Sequence, residues 1–233
     1  ANEALVKALQ TWNIDHLYGI PGDSVDAVVD SLRTVRDQFK FYHVRHEEVA
    51  SLAAASYTKM TGKIGVALSI GGPGIVHLLN GMYDAKMDNV PQLIIAGQTN
   101  STLLGTKFFQ ETNISKMVDD VAVYHHQIQK GDNVFEITNE AIRTAYEKKG
   151  VSVIICPNDL LTQKIKDTTN RAVDTTKPKP ASPKFKSIKK AAKLIDKAKK
   201  PVMLIGLGTQ HAKDELREFI EAAKIPVIHT LPA

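Results

Sequence analysis

The chain has 233 residues, 43% hydrophobic and 24% charged, with a net charge of +5, a balance that suits one large globular domain or two smaller ones around a sizeable core. No apolar run reaches the length of about 18 residues that a membrane-spanning helix needs, and the start, "ANEALVKALQTW", has the charge and periodicity of an amphipathic helix and not of a secretory signal, so a cytoplasmic location is expected. The single cysteine, Cys156 in "VSVIICP", excludes an intrachain disulfide framework and reads as a buried small hydrophobe.

In chain order, the strand candidates are "HLYGI", "FYHV", "IGVALSI", "PQLIIAG", "VAVYHHQI" and "VSVIIC", with helical patterns between most of them. Alternation of this kind predicts an α/β fold, an open parallel sheet covered by helices on both faces. The helix expected from Glu47 to about Met60 carries Val49, Ala53, Ser56 and Met60 along one side. The helix in "NVFEITNEAIRTAYEKKG" carries Val134, Ile137, Ala141 and Ala145, with Gly150 expected at its C-cap.

Beyond residue 170 the pattern gives way to "DTTKPKPASPKF", where Pro178, Pro180 and Pro183 favour an extended connector. The expected organisation is a first domain over 1–172, a linker over 173–186 and the start of a second α/β domain over 187–233. The positive charge is concentrated there, from Lys177 to Lys200, but without arginine and with Phe185 as the only interleaved aromatic. A solvated linker and helix face is therefore expected, and no nucleic-acid partner. After the linker come a Lys-rich amphipathic helix, the strand "PVMLIGLG", the helix "AKDELREFIEAA" and the strand "IPVIHTL". Two strands and two helices are too few for such a domain, so a fragment of a longer chain is expected, in keeping with the missing initiator methionine.

Four places stand where strands hand over to helices: "GIPGDS" at Gly19 to Ser24, Glu47 and Glu48 in "YHVRHEEVASLAAA", "GGPG" at Gly71 to Gly74, and "GQTN" at Gly97 to Asn100. In open parallel sheets these carboxyl ends form the ligand crevice. Glycines there allow close backbone approach, but tight turning explains them equally well, and neither a P-loop nor a complete G-x-G-x-x-G is present. The two carboxylates have a plain explanation in the helix dipole, and spacing does not choose between them.

The ordered combination of "HLYGIPGD", "HVRHEEVASLAAASYTKMTGKIGVAL", "GGPGIVHLLNGMYDAKMDNVPQLIIAGQ" and "FFQETN" resembles the N-terminal pyrimidine-binding domain of thiamine-diphosphate-dependent enzymes, over essentially the whole chain. It is most similar to the pyruvate oxidase branch, where a proline-bearing connector leads to an FAD-binding middle domain and a third domain holds the diphosphate and Mg²⁺. The resemblance implies that Glu47 hydrogen-bonds N1′ of the aminopyrimidine and so favours the tautomer that removes the thiazolium C2 proton. A carboxyl with a raised pKa is expected for that task. Pro21, Gly22 and Asp23 match the loop beside the pyrimidine, and Pro73 and Gly74 the turn that touches the cofactor. His77 stands where oxidase-like members often have histidine and acetolactate synthases asparagine. Phe109 and Gln110 match residues that reach toward the reacting carbon and the flavin, and Gly206, Gly208 and Thr230 match approaches to FAD. No metal ligand is expected in this chain.

By the same resemblance the protein is an enzyme that joins pyruvate, phosphate and O₂ to give acetyl phosphate, CO₂ and H₂O₂, working as a homo-oligomer, a tetramer, with the cofactor shared between subunits. The alternatives are acetolactate synthase or another 2-oxo-acid decarboxylase, and a non-catalytic binding subunit. "GDN" at 131–133, followed by Asn158, imitates the family's diphosphate and metal motif. It is rejected because Asp132 is expected to cap the next helix.

Overall fold

A computed structural model describes residues 1–164, 172–177, 182–209 and 212–230. The backbone packs as two units, Ala1–Pro178 and Lys179–Ala233. Pro178 and Pro180 of the connector, and the ends of "GLGTQH" and "IPVIHTL", lie outside the described residues.

In the first unit, α1 (Asn2–Thr11) is followed by β1 (His16–Gly19), α2 (Asp26–Thr34), β2 (Lys40–His43), α3 (Glu47–Thr61), β3 (Gly65–Ser69), α4 (Pro73–Met87) and β4 (Gln92–Gln98). Then come α5 (Ile114–Val118), β5 (Ala122–Gln127), α6 (Val134–Lys148), β6 (Val151–Pro157) and the single turn α7 (Asn158–Leu161). The six strands form one parallel sheet in the order β2-β1-β3-β4-β6-β5. β3, β4 and β6 are buried along their whole length, the signature of a sheet covered on both faces.

Alternation along the strands divides the core in two. Leu68, Leu93, Ile95 and Ile154 pack with Leu5, Leu9, Val28, Leu32 and Ile142 of α1, α2 and α6. Ala67, Ile94, Val153 and Ile155 pack with Ala50, Ala54, Ile75, Leu78, Met82 and Val118 of α3, α4 and α5. Cys156 is fully buried and its thiol is pushed up to about 12 by burial, which makes it inert packing.

Three local expectations change. The buried side of α3 is Ala50, Ser51, Ala54, Ala55 and Thr58, while Val49 is 50% and Met60 85% exposed. The expected side of Val49, Ala53, Ser56 and Met60 is not the buried one, because α3 lies so near its neighbours that small residues fill the inward face: a Cβ on Gly81 of α4 would stand 2.6 Å from the Leu52 backbone nitrogen. At the end of α6 the left-handed residue is Lys149 (φ 51), whereas Gly150 has no positive φ and is held against Val123. The α6 N-cap is Asn133, whose side chain accepts the Glu136 N–H, and Asp132 instead accepts hydrogen bonds from Gln129 N–H and His126.

The first part of the expected connector is docked. Val173 packs on Ala4, Ala8 and Phe135, and Lys177 Nζ donates to Gly62 O at 2.6 Å. In the second unit, α8 (Phe185–Lys197) begins inside the range expected as linker, and β7 (Met203–Ile205), α9 (Lys213–Ala223) and β8 (Val227–His229) follow. β7 and β8 pair in parallel, with Met203 opposite Val227. Ile225 is the one buried hydrophobic residue of this unit among those described, while Phe185, Ile188, Leu194 and Leu204 are exposed.

Candidate functional site

The chain leaves β1 toward β2 on one side, then crosses to place β3 on the other, so strand order reverses at β1 and β3. Outside the carboxyl ends of such a pair the connecting loops part and leave a crevice. Here the loop after β1 meets the loop after β3, with Gly71 N–H donating to Ser24 Oγ at 3.1 Å. A third segment closes on them: the backbone of Gln110 lies against Gly72, whose φ of 60° and contact with Gln110 O (2.9 Å from a built Cβ) admit only glycine.

Glu47 opens α3 where β2 ends. His46 caps that helix, Nδ1 accepting the Glu48 N–H at 3.3 Å. The Glu47 side chain is only 12% exposed, and its Oε2 lies 2.9 Å from Nδ1 of His77 in the second turn of α4. The His46 and His77 rings stack with centroids 4.4 Å apart. Glu48 points elsewhere, accepting from Asn80 Nδ2 and lying 3.7 Å from His46. The geometry thus separates two carboxylates that the sequence leaves equivalent.

The electrostatics of Glu47 run against the expected raised pKa. Burial pushes the carboxyl up, but the His77 hydrogen bond, its own backbone N–H and the charges of His77 and His46 together outweigh burial and hold it below the usual carboxylate range. Glu47 is ionised near neutrality in this state. One potential ligand atom from each of His46, Glu47 and His77 falls within 4.8 Å of the others, a grouping that could hold a metal ion and that the sequence reading did not contain.

The other expected site residues divide. Pro73 is in the first turn of α4, and Gly74 is buried against Ile70 and Ser69. Gly22 is held so near Ile70 that a built Cβ would meet Cγ2 at 2.6 Å, whereas Pro21 and Asp23 are exposed. Phe109 is 79% exposed and Gln110 has a left-handed backbone (φ 62). Their loop is tied by Glu111, whose carboxylate accepts Gly105 N–H at 2.5 Å and Phe108 N–H at 3.2 Å. In the second unit, Gly206 and Thr230 adjoin at the ends of β7 and β8, a built Cβ on Gly206 meeting Thr230 Oγ1 at 3.4 Å, while Gly208 has open space around it. His46, Asn80, Ser24 and Glu111 were missed. Asn80 carried a signal, since it lies three residues after His77 on one helix face.

Residues 1–117 match the model for the thiamine pyrophosphate enzyme N-terminal TPP binding domain, and residues 188–233 that for the central domain of the same enzymes. This chain belongs to the thiamine pyrophosphate enzyme family. Glu47, His77, Phe109 and Gln110 lie within the first matched region, and Gly206, Gly208 and Thr230 within the second. Over the whole chain it is 47% identical to YdaP of Bacillus subtilis, described as thiamine pyrophosphate-containing, covering 41% of that protein. It is 38% identical to a pyruvate oxidase of Lactiplantibacillus plantarum, over all of this chain and 39% of the oxidase. It is 34% identical to an acetolactate synthase of Mycobacterium leprae, over 99% of this chain and 37% of the synthase. The chain thus spans about two fifths of the length of these relatives. As a thiamine pyrophosphate family chain it is part of an enzyme fold, and among the described residues no helix is long and apolar enough to cross a membrane.

Proposed function

We propose that this chain supplies the pyrimidine-binding half of a thiamine-diphosphate- and FAD-dependent pyruvate oxidase, converting pyruvate, phosphate and O₂ to acetyl phosphate, CO₂ and H₂O₂. The observation that carries the reading is the nearly buried Glu47 carboxylate, set at the strand-order reversal and paired with His77. The residues present fit an aminopyrimidine: Glu47 at the start of α3 offers a carboxylate whose Oε2 is held by His77, and the loops after β1 and β3 meet through Ser24 and Gly71 at the strand-order reversal. When bound, thiamine diphosphate supplies the acidic carbon and the electron sink for decarboxylation of a 2-oxo acid, and FAD a two-electron acceptor.

The chain's own work is to hold a proton at one nitrogen. An ionised Glu47 accepts a hydrogen bond from N1′ and favours its protonated form. His77 holds Oε2, so the second carboxylate oxygen can meet the ligand without displacing the imidazole. Pro21, Gly22, Asp23, Pro73 and Gly74 border the ring, and Phe109 and Gln110 reach toward the reacting carbon from the loop tied by Glu111. Gly206 and Thr230, brought together at the ends of β7 and β8, and Gly208 beside them approach the flavin. Mg²⁺ would be held by residues outside this chain, and the working assembly is a homotetramer in the cytoplasm with the coenzyme shared between subunits.

The likeness to acetolactate synthase favours a second reading, in which the same Glu47 serves carbon–carbon bond formation. His77, in place of the asparagine that the resemblance associates with those synthases, favours the oxidase. Anaerobic pyruvate added to the full-length protein separates the two: bleaching of bound flavin is expected, and its absence removes the oxidase. For the role of Glu47, Glu47→Gln should slow hydrogen–deuterium exchange at coenzyme C2 by about 10²–10⁴-fold, with Glu48→Gln much milder. Equal effects would assign the wrong carboxylate.

A further inference from the structure

The segments leading into β1 and β3 sit at the amino ends of those strands, the edge of the sheet opposite the Glu47 crevice. There they enclose a cavity of about 170 Å³. Trp12, Tyr57 and Tyr146 give it aromatic walls, Trp12 and Tyr146 stacking with centroids 5.9 Å apart and planes 24° from parallel. Lys63, Lys177 and His16 line it too. Cavities of about 150 Å³ accept a molecule the size of benzene, so one planar ring fits.

Several polar groups of this lining are donors. The indole N–H of Trp12 is committed to Asn139 Oδ1 at 2.8 Å, which leaves the indole as an apolar wall. The Tyr146 oxygen accepts the Ile64 N–H at 2.8 Å, so its own hydroxyl hydrogen is left to donate. Lys177 gives one hydrogen to Gly62 O and rests 5.2 Å over the Tyr146 ring, with two further hydrogens on its ammonium. Partial burial and the charge of Lys63 both lower the Lys177 pKa. Asp15 is the one carboxylate in the lining among the described residues; it is paired with His16 Nδ1 at 2.6 Å and also feels the charge of Lys63. Two ammonium groups beside stacked rings want a ligand that is flat and negatively charged.

We propose that this cavity binds a small planar carboxylate of about benzoate size, its ring against Trp12 and Tyr146 and its carboxylate between Lys63 and Lys177. The site is separate from the one proposed for the coenzyme and shares no residue with it.

Trp12 is the only tryptophan of the chain, so its fluorescence and its indole N–H resonance report on the cavity directly. Benzoate titrated into the 233-residue chain should give a saturable change in both signals, and uncharged benzamide should bind at least about tenfold more weakly. Lys177→Gln and Lys63→Gln, exposed positions whose variants are checked by far-UV circular dichroism, should each weaken benzoate about three- to tenfold, as expected for loss of one charge-assisted contact. Glu47→Gln should leave the titration unchanged, which keeps this outcome independent of the coenzyme reading. No saturable change, equal binding of benzamide, equal binding of inorganic phosphate, or wild-type affinity in the double lysine variant would each overturn the proposal.

Discussion

His77 Nδ1 and Glu47 Oε2 meet at 2.9 Å across α3 and α4, and this contact is a main reason for the low pKa of the glutamate. Replacing the imidazole leaves burial as the dominant influence, and burial acts in the opposite direction. His77→Ala should therefore raise the Glu47 titration midpoint, read by carbon-13 NMR of the side-chain carboxyl. The sign extends to stability. A depressed carboxylate stabilises the fold above its unfolded pKa, and that contribution is lost as pH falls through the lower folded value. Wild-type protein should lose more stability on acidification below the ordinary glutamate range than His77→Ala does.

Glu111 holds the loop of Phe109 and Gln110 through backbone N–H groups, those of Gly105 and Phe108 among them, and the Gly105 bond is the leading cause of its lowered pKa. Glu111→Gln replaces the charged acceptor with a weaker one. Amide hydrogen exchange over 105–108 should accelerate, with exchange in β3 and β4 unchanged. In the wild type the same protection should fade as pH falls through the depressed Glu111 pKa, because the protonated acid loses its charge-assisted bonds.

Gly72 has a backbone conformation (φ 60, ψ −119) that side chains rarely adopt, and Gln110 fills the space a Cβ would need. Gly72→Ala should destabilise the first unit by roughly 1–3 kcal/mol, seen as a lower urea midpoint with Trp12 fluorescence as the probe.

Trp12 and Asn139 form a buried pair, Nε1–H donating to Oδ1 at 2.8 Å while Asn139 Nδ2 donates to Phe135 O at 2.8 Å. Asn139→Ala strands the buried indole N–H, while the Phe135 carbonyl keeps its helical backbone partner in α6. A loss of about 1–3 kcal/mol for that one buried group left unpaired is the expected scale, again measured by urea unfolding.

How much of this was legible in the sequence differs from element to element. The apolar runs around Leu68, Ile94 and Ile154 predict parallel strands because a sheet covered on both faces needs nothing polar along them. Strand order is another matter, since it depends on which crossovers pack. The inward face of α3 was read backwards for a physical reason: hydrophobic size points to Val49 and Met60, but the close neighbours of α3 select Ala50, Ser51 and Ala54. The junction at Glu47 was visible as a carboxylate at a strand-to-helix handover. Its partner was harder to see, because His77 is 30 residues away and on another helix. The sign of the Glu47 pKa follows from that partner, so local sequence could not supply it.

Gly81 brings α4 against the backbone of α3 so closely that any side chain there would collide with Leu52 and Ser51. Two helices in such contact cannot slide or rock independently, and the imidazole and carboxylate ride on that common frame. Proton affinity at position 47 is consequently governed by skeleton spacing as much as by rotamer choice. A bulkier residue in the seam, remote from any ligand, would act as a wedge that retunes the acid without touching it.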